Sequence, residues 1–282
     1  DMQAIRAFDD KKTFQLFAGG ETDGIFQFES GGMKQLLRQL GPDRFDDLIA
    51  LNALFRPGPL GAGMGTTYVE RRHGRDPVTY AFPVLEPILA PTYGVILYQE
   101  QVMQIASAIA GYTLGEADML RRAMGKKDKA KMAKEKDKFI EQGKARGFES
   151  RKVSELFDLI EYFAGYGFNK SHSAAYAMVA YETAYLKANY RVEFMAGLLS
   201  TKSGRTDDVV KYIQDCRDQG IQVLGPDINE SGLDFTITGD RQIRFGLRAV
   251  KGLGDSALEA ILEARKAEGR FQDVFHALKS TD

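Results

Sequence analysis

Phe163-Ala164-Gly165-Tyr166-Gly167-Phe168-Asn169-Lys170-Ser171-His172-Ser173-Ala174-Ala175-Tyr176 is the stretch around which this chain is organised. Gly165 and Gly167 break an aromatic turn that ends one helix and opens another. Ser171 or Ser173 is expected to cap the following helix, read over Ala174–Tyr190, whose few charges mark it as mostly buried. The first turn of such a helix has backbone N–H groups without helical partners and carries the positive end of the dipole. With Lys170 and His172 beside it, that turn offers a seat for a phosphate. The same polar run also suits a capped helix start that binds nothing, and spacing alone does not separate the two.

Working back from the junction, Ser150 opens a helix with Val153, Leu156, Phe157, Ile160 and Ala164 on its inner face. Before it lies a basic run. From Arg121 to Lys152 there are 13 Lys or Arg against five acids, a net +8 in a chain whose formal charge is −1. That asymmetry is the footprint expected for a phosphate backbone, although a solvated helix face over Lys126–Arg146 would look the same. Thr113 and Glu116 make a capping box for a helix over Leu114–Met124, with Arg121 and Arg122 in its last turn and Gly125 as the stop.

Further upstream, a strand is expected at Gly24–Phe28. Ser30 then caps a helix whose Met33, Leu36, Leu37 and Leu40 form a core-facing stripe. Phe45–Leu54 reads as a second helix. It runs into Arg56-Pro57-Gly58-Pro59, a stiff loop presenting Arg56 either to a ligand or to a nearby carboxylate. Residues 61–92 read as loop with a basic cluster at Arg71-Arg72-His73-Gly74-Arg75. Tyr93–Ala110 follows with an apolar face and a Gln-rich polar one.

Downstream, Tyr176, Tyr181, Tyr185 and Tyr190 read as core or interface, and Thr201–Thr206 as a linker. Asp207–Gln219 is a helix, Ile221–Leu224 a short strand, and Phe235–Thr238 with Arg241–Phe245 a hairpin across Gly239-Asp240. Lys251-Gly252-Leu253-Gly254 then precedes a helix from Asp255. A Gly-x-Gly turn between two short helices can offer N–H groups to a DNA phosphate. The expected class is mainly α (α+β): a helical domain over 1–205, then a small αβ segment over 206–282 with a helix-hairpin-helix.

Composition narrows the function. A lone Cys216, read as a small core residue, rules out an internal disulfide and suits a cytoplasmic setting. No apolar run approaches the roughly 20 residues that span a membrane, and no signal peptide is read. No Walker-type loop, hydrolase elbow, Cys/His cluster or paired acids of a two-metal site appear. The chain starts and stops in mid-pattern and is expected to be a piece of a longer protein. Bottom-up, it is a helical module that faces phosphate and lacks its own catalytic carboxylates.

Four further blocks carry a resemblance: Gln27-Phe28-Glu29-Ser30-Gly31-Gly32-Met33, Ala50–Leu60, Pro91–Met103 and Arg121-Arg122-Ala123-Met124-Gly125-Lys126-Lys127. With the junction, they resemble the alpha subunits of the bacterial replicative DNA polymerase III, C-family enzymes, in the part called the fingers. The likeness runs over essentially the whole chain. It implies a palm, outside these residues, whose aspartates hold two Mg²⁺ for attack of the primer 3′-hydroxyl on a dNTP. Arg56, Arg121, Arg122, Lys126, Lys127 and Lys170 are then expected on phosphates of dNTP or template-primer, with Asn169, Ser171 and His172 positioning the nucleotide. Lys251, Gly252 and Gly254 are expected on DNA backbone. Primer–template DNA, dNTPs, the sliding clamp and the other replicase subunits are the implied partners. A non-catalytic nucleic-acid-binding module is the alternative reading, and without its palm the piece alone is expected to be inactive.

Overall fold

A computed structural model of the protein describes residues 5–125, 129–164 and 167–281. The chain is mainly helical, with one small three-stranded sheet. Packing divides it into two compact units, Asp1–Glu21 with Phe26–Tyr181 and Thr22–Ile25 with Glu182–Asp282.

In the first unit, Asp10 caps the helix Lys11–Gly19 by accepting from the Thr13 amide at 2.8 Å. Ser30 caps Gly31–Leu40 in the same way, and Met33, Leu36, Leu37 and Leu40 are all buried, as their spacing expects. Phe45–Leu54 forms the helix read for it and is buried over most of its surface.

Three readings of the N-terminal third are corrected. Gly24–Phe28 is a series of turns and not a strand, because Gly24 (φ 75°) and Gln27 (φ 64°) take left-handed conformations that break extension. Pro57–Gly61 closes into a helical turn in place of a loop, since Pro57 has no N–H to lose at the first helical position. Met64–Arg72 is a helix inside the stretch read as loop, and Glu86–Leu89 adds another short one between two 3-10 turns. There the Gly and Thr content masked a one-sided face of Met64, Tyr68 and Val69, all buried.

A second cluster gathers the helices Gln99–Ala110, Leu114–Gly125, Lys129–Ala145 and Ser150–Ala164 around Ile105, Ile109, Leu120, Phe139, Phe157 and Ile160. Each of these large side chains stabilises the unit by about 1.5–3 kcal/mol through burial. Gln99, and not Tyr93, opens the first of them, because Gly94 and Tyr93 hold positive φ angles of 77° and 52°. The capping box is present: Thr113 N donates to Glu116 Oε2 at 2.9 Å, and Glu116 N to Thr113 Oγ1 at 3.3 Å.

The junction helix spans Lys170–Asn189, starting four residues earlier than its sequence suggested. Its cap is Asn169, whose Oδ1 accepts from the His172 amide at 2.8 Å, and neither Ser171 nor Ser173. Ser173 is wholly buried and spends its hydroxyl on the Ile49 carbonyl at 2.6 Å, so it is a packing residue inside the helix.

In the second unit, the helices Arg191–Thr201 and Thr206–Asp218 cover a three-stranded sheet. Strand β1 (Gln222–Leu224) pairs parallel with β3 (Gln242–Arg244), Val223 facing Ile243. Strand β2 (Thr236–Gly239) pairs antiparallel with β3, giving the hairpin expected across Gly239-Asp240. Ile243 sits fully buried against Leu199, Tyr212, Cys216 and Phe235. A 3-10 turn at Leu247–Ala249 leads to the helices Asp255–Glu268 and Val274–Ser280.

Candidate functional site

The first unit holds a cavity of about 230 Å³ at the junction, lined by Gln27, Met33, Asn52, Phe55, Arg56, Phe168, His172 and Tyr176. Arg56, placed just before the Pro57–Gly61 turn, lays its guanidinium over the Phe168 ring, with Cζ 4.6 Å from the centroid. The His172 ring stands between Phe168 (5.4 Å between centroids) and Tyr176 (4.3 Å). Phe168 itself is held by its backbone, which donates to Leu97 O at 3.2 Å and accepts from Gln99 N at 3.0 Å. One guanidinium, one imidazole, two side-chain amides and several rings suit a ligand with a flat ring and an anionic group. Rings stack on rings, and a guanidinium forks onto phosphate.

The Lys170, His172 and Ser173 amides at the start of the junction helix are already engaged. Glu100 accepts from Lys170 N through both carboxylate oxygens, at 3.1 and 3.0 Å, and from Asn169 Nδ2 at 2.9 Å. Asn169 in turn serves His172 N, and its main-chain carbonyl serves Ser173 N. A carboxylate therefore sits at the positive end of this helix dipole, where the sequence offered a phosphate seat. The Lys170 ammonium lies 5.5 Å from the Tyr98 ring centroid. Ser171 is exposed on the first turn.

Arg121 reaches the junction through a side-chain relay. Its Nη1 donates to Gln99 Oε1 at 3.3 Å, and Gln99 Nε2 donates to Gly167 O at 3.2 Å. Arg121 also grips Asp118 Oδ1 at 2.7 and 2.9 Å, while the more exposed Arg122 holds Asp118 Oδ2 at 2.7 Å. Those hydrogen bonds, Arg121's first, keep the Asp118 carboxyl below its ordinary pKa. Lys126 and Lys127 lie outside the described residues.

Several other cations are held in ion pairs. Arg72 serves the fully buried Asp47 at 2.8 Å and Asp43 at 2.8 Å, Arg71 pairs with Asp76, and Arg75 forks onto Glu70. Within the basic run, Lys138 bonds Glu116 at 2.9 Å and lies over the Tyr112 ring, while Arg151 and Lys152 pair with Glu155 and Glu149. In the second unit Lys251 is exposed, and a Cβ built on Gly252 or Gly254 would meet nothing within 4 Å. Gly252 holds φ at 89° and Gly254 opens the helix Asp255–Glu268 without a side-chain cap. The backbone there is open to close approach.

Structure thus brings Arg56 and His172 to one cavity, ties Asn169 and Lys170 to Glu100, and links Arg121 to the same junction through Gln99. Sequence reasoning missed Gln27, Asn52, Phe168 and Tyr176 as cavity walls. Asn52 had a signal, as the one uncharged polar residue of an otherwise apolar helix over Leu48–Leu54.

A family description, the bacterial DNA polymerase III alpha subunit finger domain, matches residues 1–147, and a helix-hairpin-helix motif matches residues 220–282. The chain belongs to this polymerase family. It is 49% identical over 287 residues to the DNA polymerase III subunit alpha of Escherichia coli, covering 100% of this chain and 25% of that protein. The subunit of Thermus aquaticus is 53% identical over 276 residues, with 96% of this chain and 22% of that protein covered. For Pseudomonas aeruginosa the values are 52% over 272 residues, 95% and 23%. The chain spans about a quarter of the length of these relatives. It is mainly the fingers that the first match covers, and the motif match falls on the sheet and the Gly-x-Gly turn. Among the described residues no helix is long and apolar enough to cross a membrane. Nor, among them, does any grouping of His, Cys, Asp and Glu supply the oxygen-rich donor set of a Mg²⁺ pair.

Proposed function

We propose that residues 1–205 are the fingers of a DNA-directed DNA polymerase and that 206–282 form its helix-hairpin-helix segment. The carrying observation is the cavity where Arg56, backed by Phe168, meets His172 and Tyr176. There an incoming dNTP stacks its flat portion on the ring wall and sets its triphosphate against Arg56 and, at the junction, Lys170 and Arg121. Arg122, Lys126 and Lys127 add positive potential toward dNTP or template-primer, and Ser171 contributes a hydroxyl on the same turn. Asn169 acts from behind, as the cap that sets the His172 backbone. Lys251, Gly252 and Gly254 hold duplex backbone without reading bases, as an exposed cation beside an open Gly turn can do.

The transfer of the nucleotidyl group belongs to a palm in the rest of the subunit, whose aspartates bind two Mg²⁺ that supply the electrophilic and nucleophilic activation. The residues present here bind, orient and neutralise. The 282-residue chain alone therefore binds nucleic acid and does not polymerise, and the subunit works in the cytoplasm with the clamp and other replicase subunits.

The test is steady-state incorporation by the full-length subunit carrying Arg56→Ala or His172→Ala. Each change is expected to raise dNTP KM or lower kcat by at least about tenfold, the loss of roughly 1.4 kcal/mol of transition-state binding. Unchanged dNTP KM and kcat in both variants would remove the cavity from the reaction.

A further inference from the structure

We propose that Glu100 is a positioning residue for nucleotide binding, an inference that rests on the cavity reading just given. Glu100 stands in the first turn of the helix Gln99–Ala110 and is half-buried. Its carboxylate takes the Asn169 side-chain amide at 2.9 Å and the Lys170 main-chain amide at 3.0 and 3.1 Å. The other end of the Asn169 amide, Oδ1, receives the His172 N–H at 2.8 Å.

An asparagine amide is nearly symmetric in shape, so its environment decides which way round it lies. An ionised carboxylate only accepts and therefore fixes Nδ2 toward itself. Flipping the amide would set Oδ1 against Glu100 and Nδ2 against the His172 N–H, two repulsive contacts in place of two hydrogen bonds. Glu100 thereby orients Asn169, Asn169 seats the first turn, and the turn aims the His172 ring between Phe168 and Tyr176. The carboxylate also complements the positive end of a 20-residue helix, which holds the turn without any ligand. Glu100 is not one of the residues lining the cavity and acts through Asn169 and His172. Its sequence separation from Asn169, 69 residues, explains why the Gln-rich face of its helix gave no hint of it.

The experiment uses the full-length subunit with Glu100→Ala, Glu100→Gln, His172→Ala and Glu100→Ala/His172→Ala, measuring dNTP KM, kcat and primer–template Kd. Glu100→Ala is expected to lower kcat/KM for dNTP by about tenfold to a hundredfold, the usual penalty for a mis-set reactive geometry, with primer–template Kd unchanged. Glu100→Gln keeps the size and one acceptor, so it carries the test should the alanine variant fold poorly, and it loses less. In the His172→Ala background, Glu100→Ala is expected to add under about threefold, because residues acting as one unit are non-additive. Fully additive losses would overturn the proposal, as would a dNTP KM that falls when Glu100 is removed. A silent Glu100 beside a damaging His172→Ala sinks this inference alone. A silent His172→Ala sinks it together with the cavity reading.

Discussion

The Ser173 hydroxyl donates to the Ile49 carbonyl across 2.6 Å, joining the first turn of the Lys170–Asn189 helix to the Phe45–Leu54 helix that leads into Arg56. Ser173 is fully buried, whereas Ser171, two residues away, is exposed. Ser173→Ala removes a buried hydrogen bond and is expected to cost about 1–2 kcal/mol in denaturant unfolding. Ser171→Ala is expected to stay within about 0.5 kcal/mol. Equal costs for the two would show that the burial difference between these serines has no energetic weight.

The contrast between those serines marks where sequence reading ends. The Met33–Leu40 stripe, the Thr113/Glu116 capping box and the hairpin across Gly239-Asp240 are local, so their physics is written in a few neighbouring residues. Arg56 and His172 were legible by residue type and flanking stiffness. Their meeting at one cavity was not, since 116 positions separate them and only the packed helices bring them together. The Arg71–Arg75 cluster reads in sequence only as basic, and the fold sets Asp47, Asp43, Asp76 and Glu70 against its arginines. Charge runs carry no label saying which acids the fold will place opposite them. Asn169, Ser171 and Ser173 are comparable cap formers by residue type, and the observed helix start makes Asn169 the cap.

Acid tests the capping box. The Thr113 amide, then the Lys138 ammonium and the Thr113 hydroxyl, pull the Glu116 carboxyl down to about 2. A depressed folded-state pKa gives stability that is present above the unfolded value, about 4.3, and is lost as pH falls toward the folded one. Thermal melts between pH 5 and pH 2 (about the span of that loss) are therefore expected to fall less steeply for Glu116→Gln than for the parent. Parallel curves would mean that the Thr113 and Lys138 contacts do not persist in solution.

Alkali tests the second unit's core. Burial, with a smaller push from Asp215, raises the Cys216 thiol to about 12. A raised folded pKa gives stability that is full below the unfolded value, about 8.5, and drains away as pH climbs toward the folded one. Across that window the parent should lose up to about 1.4 kcal/mol per pH unit more than Cys216→Ala. Lys187 works with the opposite sign. Its desolvation outweighs the Asp215 contact at 2.7 Å and lowers its pKa, so its share of stability grows as pH approaches the unfolded lysine value. Comparing parent with Cys216→Ala at each pH leaves the lysine in both arms. Identical slopes would show that the thiol reaches water in the folded state.

Two glycines of the second unit separate folding from DNA binding. A Cβ at Gly246 would stand 2.5 Å from the Asp234 carbonyl carbon and 2.7 Å from Leu233 O, both backbone atoms that cannot turn aside. Gly246→Ala must therefore push the 3-10 turn away from the Leu233-Asp234 backbone, and a loss of about 2–4 kcal/mol is expected, in the range of severe overpacking. Gly254 holds φ at −81° and a Cβ there meets nothing within 4 Å, so Gly254→Val fits the free chain with little strain. If a DNA phosphate is to approach the open amides at the start of Asp255–Glu268, the same side chain blocks it. Gly254→Val is then expected to weaken primer–template binding by about tenfold while the melting temperature shifts by no more than about 2 °C. Lys251→Ala, by contrast, would remove one phosphate contact under the proposed reading, so the slope of log K against log salt should shrink by about 0.9. A Gly254→Val chain that melts normally and binds duplex as tightly as the parent would take this turn off the DNA, whatever the family match of its sequence.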